Sequence, residues 1–203
     1  MKLYYVHDPM CSWCWAFRPV LLELTHQLPS HIEFIRLLGG LAADNDSPMP
    51  EATKHYVIDN WRRIQQQLPD TNFNYDFWKE CKPRRSTYPA CRAVIAARQQ
   101  GHQYDEEMTY AIQKAYYLEA RNPSDNDTLI KLAGEIGINA EQFHRDLLSP
   151  EINHELSDEL TTARDLELNS FPSFLLTEGE KRLPISPDYQ HADVLLEKIQ
   201  RTF

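Results

Sequence analysis

The chain has 203 residues, 42% of them hydrophobic and 25% charged, which is enough for a substantial core in one domain or in one domain carrying an insertion. Its formal net charge of −9 argues against a phosphate-backbone partner, and the small basic pairs Arg62-Arg63 and Arg84-Arg85 read as solvated surface. No apolar run approaches the roughly 18 to 20 residues a membrane helix requires, so neither nucleic acid nor membrane is expected as a partner.

Taken in chain order, Leu3-Tyr4-Tyr5-Val6 is continuously apolar and predicts a strand buried on both faces, ended by Pro9. The run is far shorter than the roughly 7 to 15 apolar residues of a secretory signal, which predicts a cytoplasmic protein. In a reducing compartment a cysteine pair is catalytic or metal-binding rather than a permanent staple. From Cys11 to about Leu28 the pattern turns helical, with Trp15, Val20, Leu21 and Leu24 as apolar positions. A second strand is expected from Ile32 to Leu38, closed by Gly39-Gly40.

Residues 41–167 hold little that resembles a strand. Val57, Trp61, Ile64 and Leu68 share one helical face. Ser86 or Thr87 can cap a helix from Tyr88 to about Gln100, with Pro89 in its first turn and Gly101 past its end. Met108, Ala111, Ile112, Ala115 and Tyr116 form another stripe, and Leu129, Leu132, Ala133 and Ile136 a further one. Asn139 and Gln142 are a capping pair for a short helix through Leu148, and Pro150 to about Leu166 is helical but more polar. Strand patterns then return at Ser173 to Leu176 and Arg182 to Ile185, joined by the turn signal Glu178-Gly179-Glu180. A final helix carries Ala192, Leu195, Leu196, Ile199 and Phe203 on its apolar face. Strands at both ends with helices between predict an α/β sheet domain, residues 1–40 and 168–203, interrupted by a helical subdomain, residues 41–167.

The chemistry concentrates at Cys11-Ser12-Trp13-Cys14. A first thiol at a helix start sits among unpaired backbone N–H groups at the positive end of the helix dipole, which favours thiolate. Cys14, within a turn, can attack a mixed disulfide formed at Cys11. Zinc sites use C-x-x-C twice or with a matched His pair; the other two cysteines, Cys81 and Cys91, have no partner at that close spacing and the eight histidines are scattered, so no metal is expected. A strand, the motif and then a helix is the context of a redox-active dithiol.

Asp8-Pro9-Met10-Cys11-Ser12-Trp13-Cys14-Trp15 with Phe17-Arg18-Pro19 resembles the DsbA family of thioredoxin-fold proteins, and within it the FrnE-like branch of protein-disulfide isomerases. The resemblance covers the whole chain, with Tyr88-Pro89-Ala90-Cys91-Arg92-Ala93 as the match inside the insertion. It implies a thioredoxin-like fold with a large all-helical insertion between the second and third strands, and catalytic Cys11 and Cys14. It further implies a cis Pro172 facing the dithiol, Phe171 as a substrate-backbone contact, and Trp13 as an apolar face for the bound peptide. Disulfide substrates, protein or small molecule, and a thiol reductant would be its partners; no cofactor is implied, although glutathione could serve as reductant.

One feature of the family is missing: the first strand offers no carboxylate beneath the site, and Asp8 and His7 read as hydrogen-bonded structural residues. Kappa-class glutathione transferases and 2-hydroxychromene-2-carboxylate isomerases share the architecture but typically carry serine at the first motif position. A non-enzymatic zinc- or peptide-binding module is the remaining alternative. For Cys91 two readings stand, a buried small hydrophobe or a thiol presented to the groove, and a Cys81–Cys91 disulfide is undecided. The aromatics Trp61, Phe73, Tyr75, Phe77 and Trp78 are expected mostly in the core.

Overall fold

A computed structural model describes residues 1–201; Phe203, expected on the last helix, lies outside them. The sheet is built from β1 (Lys2–His7), β2 (Glu33–Leu38), β3 (Ser173–Glu178) and β4 (Lys181–Ile185), in the order β2-β1-β3-β4. β1 and β2 run parallel and pair Leu3 with Phe34, while β1–β3 and β3–β4 are antiparallel. The parallel pair needs a crossover, and α1 (Ser12–Gln27) supplies it, running on through Pro19. The hairpin is tighter than expected, because Glu178 pairs with Lys181 and leaves Gly179, at φ +59°, and Glu180 as the turn.

Between β2 and β3 lie α2 (Glu51–Gln67), the short α3 (Phe77–Glu80), α4 (Tyr88–Arg98), α5 (Gln103–Tyr117), α6 (Asn126–Glu135), α7 (Ala140–Leu147) and α8 (Pro150–Asp165), and α9 (Ala192–Gln200) closes the fold. Asn139 caps α7 by accepting from the Gln142 backbone N–H at 3.0 Å. The expected cap on α4 is absent. The Thr87 hydroxyl donates instead to Asp8 Oδ2 at 2.6 Å, and the Ser86 hydroxyl accepts from the Asn45 N–H, so both are spent on contacts between elements.

One sheet face presents Leu3, Tyr5, Phe174 and Leu176 to Phe17 and Leu24 of α1 and to Leu195 and Ile199 of α9. The other presents Val6, Leu37 and Leu175 to Ala163 of α8 and to Leu168. Thus α8, placed in the expected insertion, is the second layer of the sheet; its amphipathic stripe reads the same whichever neighbour it covers. The other helices share an apolar core around Trp61, Val94, Ile112 and Leu129, and Met10, Ala16 and Leu38 extend that core up to the dithiol.

An ion network fastens the layers. Arg36 of β2 meets Asp105 at 2.7 Å and Glu106 at 2.5 Å, Arg18 of α1 meets Glu106 at 2.6 Å, and Arg98 of α4 meets Asp105, Glu155 and Glu159. Glu159 also accepts the Leu38 backbone N–H at 2.6 Å, pinning α8 to the end of β2.

Candidate active site

The turn after β1 sets the site. The Cys11 N–H donates to the Asp8 carbonyl at 3.0 Å, and the Cys11 carbonyl accepts from Trp15 at 3.0 Å, so Cys11 is the N-cap residue of α1 and Cys14 lies within its first turn. Cys11 is 7% exposed and Cys14 1%. Both are free thiols, as are Cys81 and Cys91. Donation from the Cys14 thiol and from the Cys14 and Trp13 backbone N–H groups outweighs burial and lowers the Cys11 thiol below its ordinary range. Burial pushes the Cys14 thiol well up. Two adjacent thiols are thereby driven apart, one toward thiolate and one toward thiol.

The second wall is the loop before β3. The Phe171–Pro172 peptide bond is cis, and the Phe171 carbonyl lies 3.5 Å from Cys11 Sγ. The Phe171 ring is seated on Gly39, where a Cβ would stand 1.9 Å from ring atom Cε1. Residues 160 positions apart in the chain are therefore brought together at one sulfur. Pro172 is buried beneath this loop, and Trp13 is half-buried, its ring edge-on to Tyr189 at 5.2 Å. Trp15 turns the other way, stacking on Tyr117 at 5.6 Å and donating to the Asn72 carbonyl at 3.1 Å. A pocket of about 200 Å³ opens beside Cys11, walled by Met10, Trp13, Tyr56, Phe171, Asn60 and Arg85 among others.

Asp8 is the junction of the molecule. It is fully buried; Oδ1 accepts the Met10 N–H at 2.7 Å, and Oδ2 accepts the Leu41 N–H at 2.6 Å, the Thr87 hydroxyl at 2.6 Å and the Cys91 thiol at 3.7 Å. Burial raises its carboxyl above the usual range against the pull of these donors. The Asp8 carboxylate also disfavours ionisation of both Cys11 and Cys14. His7, the other candidate at the strand end, stacks on Tyr5 at 5.0 Å, is kept neutral chiefly by burial, and has no hydrogen-bond partner for Nε2 among the described residues.

Cys91 is fully buried against Asp8 and does not line the pocket, which removes the thiol-presented-to-the-groove reading. Cys81 donates to the Ala120 carbonyl at 3.0 Å and forms no disulfide with Cys91. Trp61, Phe73, Phe77 and Trp78 are buried in the core of the helical block, and Tyr75 packs on it half-buried. The expectation that Arg84 and Arg85 are solvated is wrong. Both are half-buried, because Arg84 reaches Asp125 at 2.7 Å and Arg85 faces the pocket.

A four-stranded sheet flanked by helices, with a dithiol at the start of its first helix opposite a cis proline, defines a thioredoxin-like protein. The model of the Thioredoxin family matches residues 4–185, and the chain belongs to that family. Among its relatives is the ClpXP adapter protein SpxH of Halalkalibacterium halodurans, 27% identical over 180 residues that make up 86% of this chain and 58% of that protein. The chain thus spans less than two thirds of that relative's length. A crystal structure described as a candidate protein disulfide isomerase from Nitrosomonas europaea superposes with a TM-score of 0.82 at 23% identity, covering 98% of this chain and 95% of the other. The cytosolic disulfide reductase DsbM of Pseudomonas aeruginosa superposes with a TM-score of 0.73 at 24% identity, covering 92% and 89%. At these identities the two structures establish a shared fold. Among the described residues no helix is long and apolar enough to cross a membrane.

Proposed function

We propose that the chain is a thiol–disulfide oxidoreductase of the reductase or isomerase type, working in the cytoplasm through Cys11 and Cys14. The observation that carries this reading is geometric: Cys11 is the N-cap of α1 with Cys14 in its first turn, and the Cys11 sulfur lies 3.5 Å from the Phe171 carbonyl at the cis Phe171–Pro172 bond; donation from Cys14 lowering the Cys11 thiol agrees with it. Cys11 thiolate attacks one sulfur of a substrate disulfide; the S–S bond breaks and the other half leaves as a thiolate that takes up a proton. Cys14 then gives up its proton and attacks Cys11 Sγ. The Cys11–Cys14 disulfide forms, the second half of the substrate departs as a thiol, and two electrons have passed to the substrate. Phe171 and Pro172 form the wall along which an extended substrate lies, and Trp13 is the apolar rim. The dithiol itself carries the electrons without metal or organic cofactor, and an external thiol such as glutathione resets it.

The test is a redox titration of the dithiol in glutathione buffers, followed by tryptophan fluorescence, since Trp13 lies between the two cysteines and Trp15 directly after them. A two-electron transition that disappears in Cys14→Ser is expected. A midpoint near about −270 mV marks a reductase and one near about −120 mV an oxidant. No transition at any poise overturns the reading.

A second reading is favoured by the name of the relative, a ClpXP adapter protein. Under it the groove beside Cys11 holds a protein partner without turnover. A Cys11→Ser, Cys14→Ser double variant separates the two, because an adapter retains its function and an oxidoreductase loses it. Conjugation of glutathione to an electrophile by Cys14→Ser would instead favour the transferase alternative.

A further inference from the structure

Among the described residues, every half-buried arginine but one has a carboxylate close by. Arg18, Arg36, Arg84, Arg92, Arg98 and Arg121 each have an acidic oxygen at 3.3 Å or less. The exception is Arg85, which has no carboxylate partner among the described residues of a chain that carries a net charge of −9. The Arg85 guanidinium is partly enclosed by the pocket wall and meets no counter-charge there, which leaves it open to an anion from outside the chain. Its neighbours account for the place it occupies. Arg85 lines the same pocket of about 200 Å³ as Cys11, alongside Asn60, a half-buried amide, with Asn169 and Ser170 at the rim. The Tyr116 ring in this wall is neutral, because burial pushes its hydroxyl far up, so it cannot serve as the missing anion.

We propose that Arg85 recognises a carboxylate carried by the substrate within one residue's reach of its disulfide sulfur, so that the site selects anionic disulfides. The planar fork of a guanidinium matches a carboxylate, and the Asn60 amide can donate to the same group. The pocket is smaller than the roughly 300 to 1,000 Å³ of sites that engulf a drug-sized ligand, which fits one acidic residue or a small thiol acid. This inference rests on the dithiol reading and names the substrate class of that site. Cys11 attacks the sulfur nearest the bound carboxylate, the other half leaves as thiolate, and Cys14 releases the anionic half as a thiol, so that one disulfide yields two thiols and one Cys11–Cys14 disulfide.

The test is single-turnover reduction of matched disulfides by the reduced protein, read by tryptophan fluorescence. The probes are 3,3′-dithiodipropionate, the neutral bis(2-hydroxyethyl) disulfide and the cationic cystamine. Relative to the intrinsic reactivity of each probe with free thiol, the anionic probe is expected to react about tenfold faster than the neutral one, with the cationic probe slowest. In Arg85→Gln that ratio falls to about one or below, and Arg85→Lys recovers part of it. A second arm uses disulfide-linked peptides with Asp or Asn beside the cysteine. A preference there as large as for dithiodipropionate assigns the carboxylate to a peptide, and a preference confined to the small acid assigns it to a small molecule; either supports the subsite. Equal rates for anionic and neutral probes, or a ratio unchanged in Arg85→Gln, overturn it while leaving the dithiol intact. Failure to reduce even the neutral disulfide overturns the dithiol reading, and this one with it.

Discussion

The chain holds two cysteine-bearing stretches of opposite character. Cys11 and Cys14 stand at a helix start, close enough for one thiol to donate to the other and lower it. Cys81 and Cys91 sit apart in the fold, one bonded to a carbonyl and the other sealed against a carboxylate, where burial, reinforced by that charge, pushes its thiol well up. Asp8 touches both stretches, its backbone carbonyl holding the Cys11 N–H and its side chain facing Cys91. The difference teaches that burial raises three of these thiols and that the donors at the helix start overcome it only at Cys11. Burial alone would have raised all four.

The contrast is broken most severely at Cys11. Cys11→Ser is expected to bring disulfide turnover down to the uncatalysed background, while Cys91→Ser keeps it; Cys14→Ser should accumulate a mixed disulfide at Cys11, read by mass spectrometry. The junction comes next. Asp8→Ala leaves the Met10 and Leu41 N–H groups without an acceptor and the Thr87 hydroxyl with only the Ala42 carbonyl at 3.3 Å, at about 1 kcal/mol or somewhat more for each lost bond, so a loss of roughly 2 to 3 kcal/mol is expected in urea denaturation. Gly39→Ala must displace the Phe171 ring, costing about 1 to 3 kcal/mol and slowing mixed-disulfide formation at Cys11 as the wall shifts.

The smallest effect lies at Cys91. Cys91→Ala removes a buried sulfur, with an expected cost of about 1 kcal/mol in denaturant melts and no change in turnover. Its sign with pH is definite. A thiol whose folded pKa is raised contributes stability that is fully present below the unfolded value of about 8.5 and is lost as pH rises through the folded value. The gap between wild type and Cys91→Ala should therefore narrow above pH ~8.5.

Local features were legible in the sequence. The dithiol, the helix start behind it and the order of elements all follow from neighbours within a few residues, and so does the Asn139 cap. What stayed hidden depends on chain segments far apart in sequence. The Thr87 hydroxyl reads as a helix cap until Asp8 is seen beside it, and Arg84-Arg85 reads as a solvated pair until Asp125 and the pocket wall are placed. A half-polar stripe such as that of α8 says that one face is covered, and the sheet that covers it is known only from the fold. The missing carboxylate on β1 was a real signal. Tyr5 and the stacked His7, whose Nε2 has no hydrogen-bond partner among the described residues, occupy that strand face, and the buried acid stands one residue past its end, at Asp8.

The most direct measurement is the pH dependence of alkylation at all four cysteines of the reduced protein, resolved peptide by peptide. Cys11 is expected to react first, with a midpoint below the ordinary thiol value of about 8.5; half-buried Cys81, its thiol raised by burial, follows only at higher pH, while Cys14 and Cys91 stay unmodified until the protein unfolds. A Cys11 midpoint at or above that value, or Cys14 reacting alongside it, would contradict the division of labour on which the proposed chemistry depends.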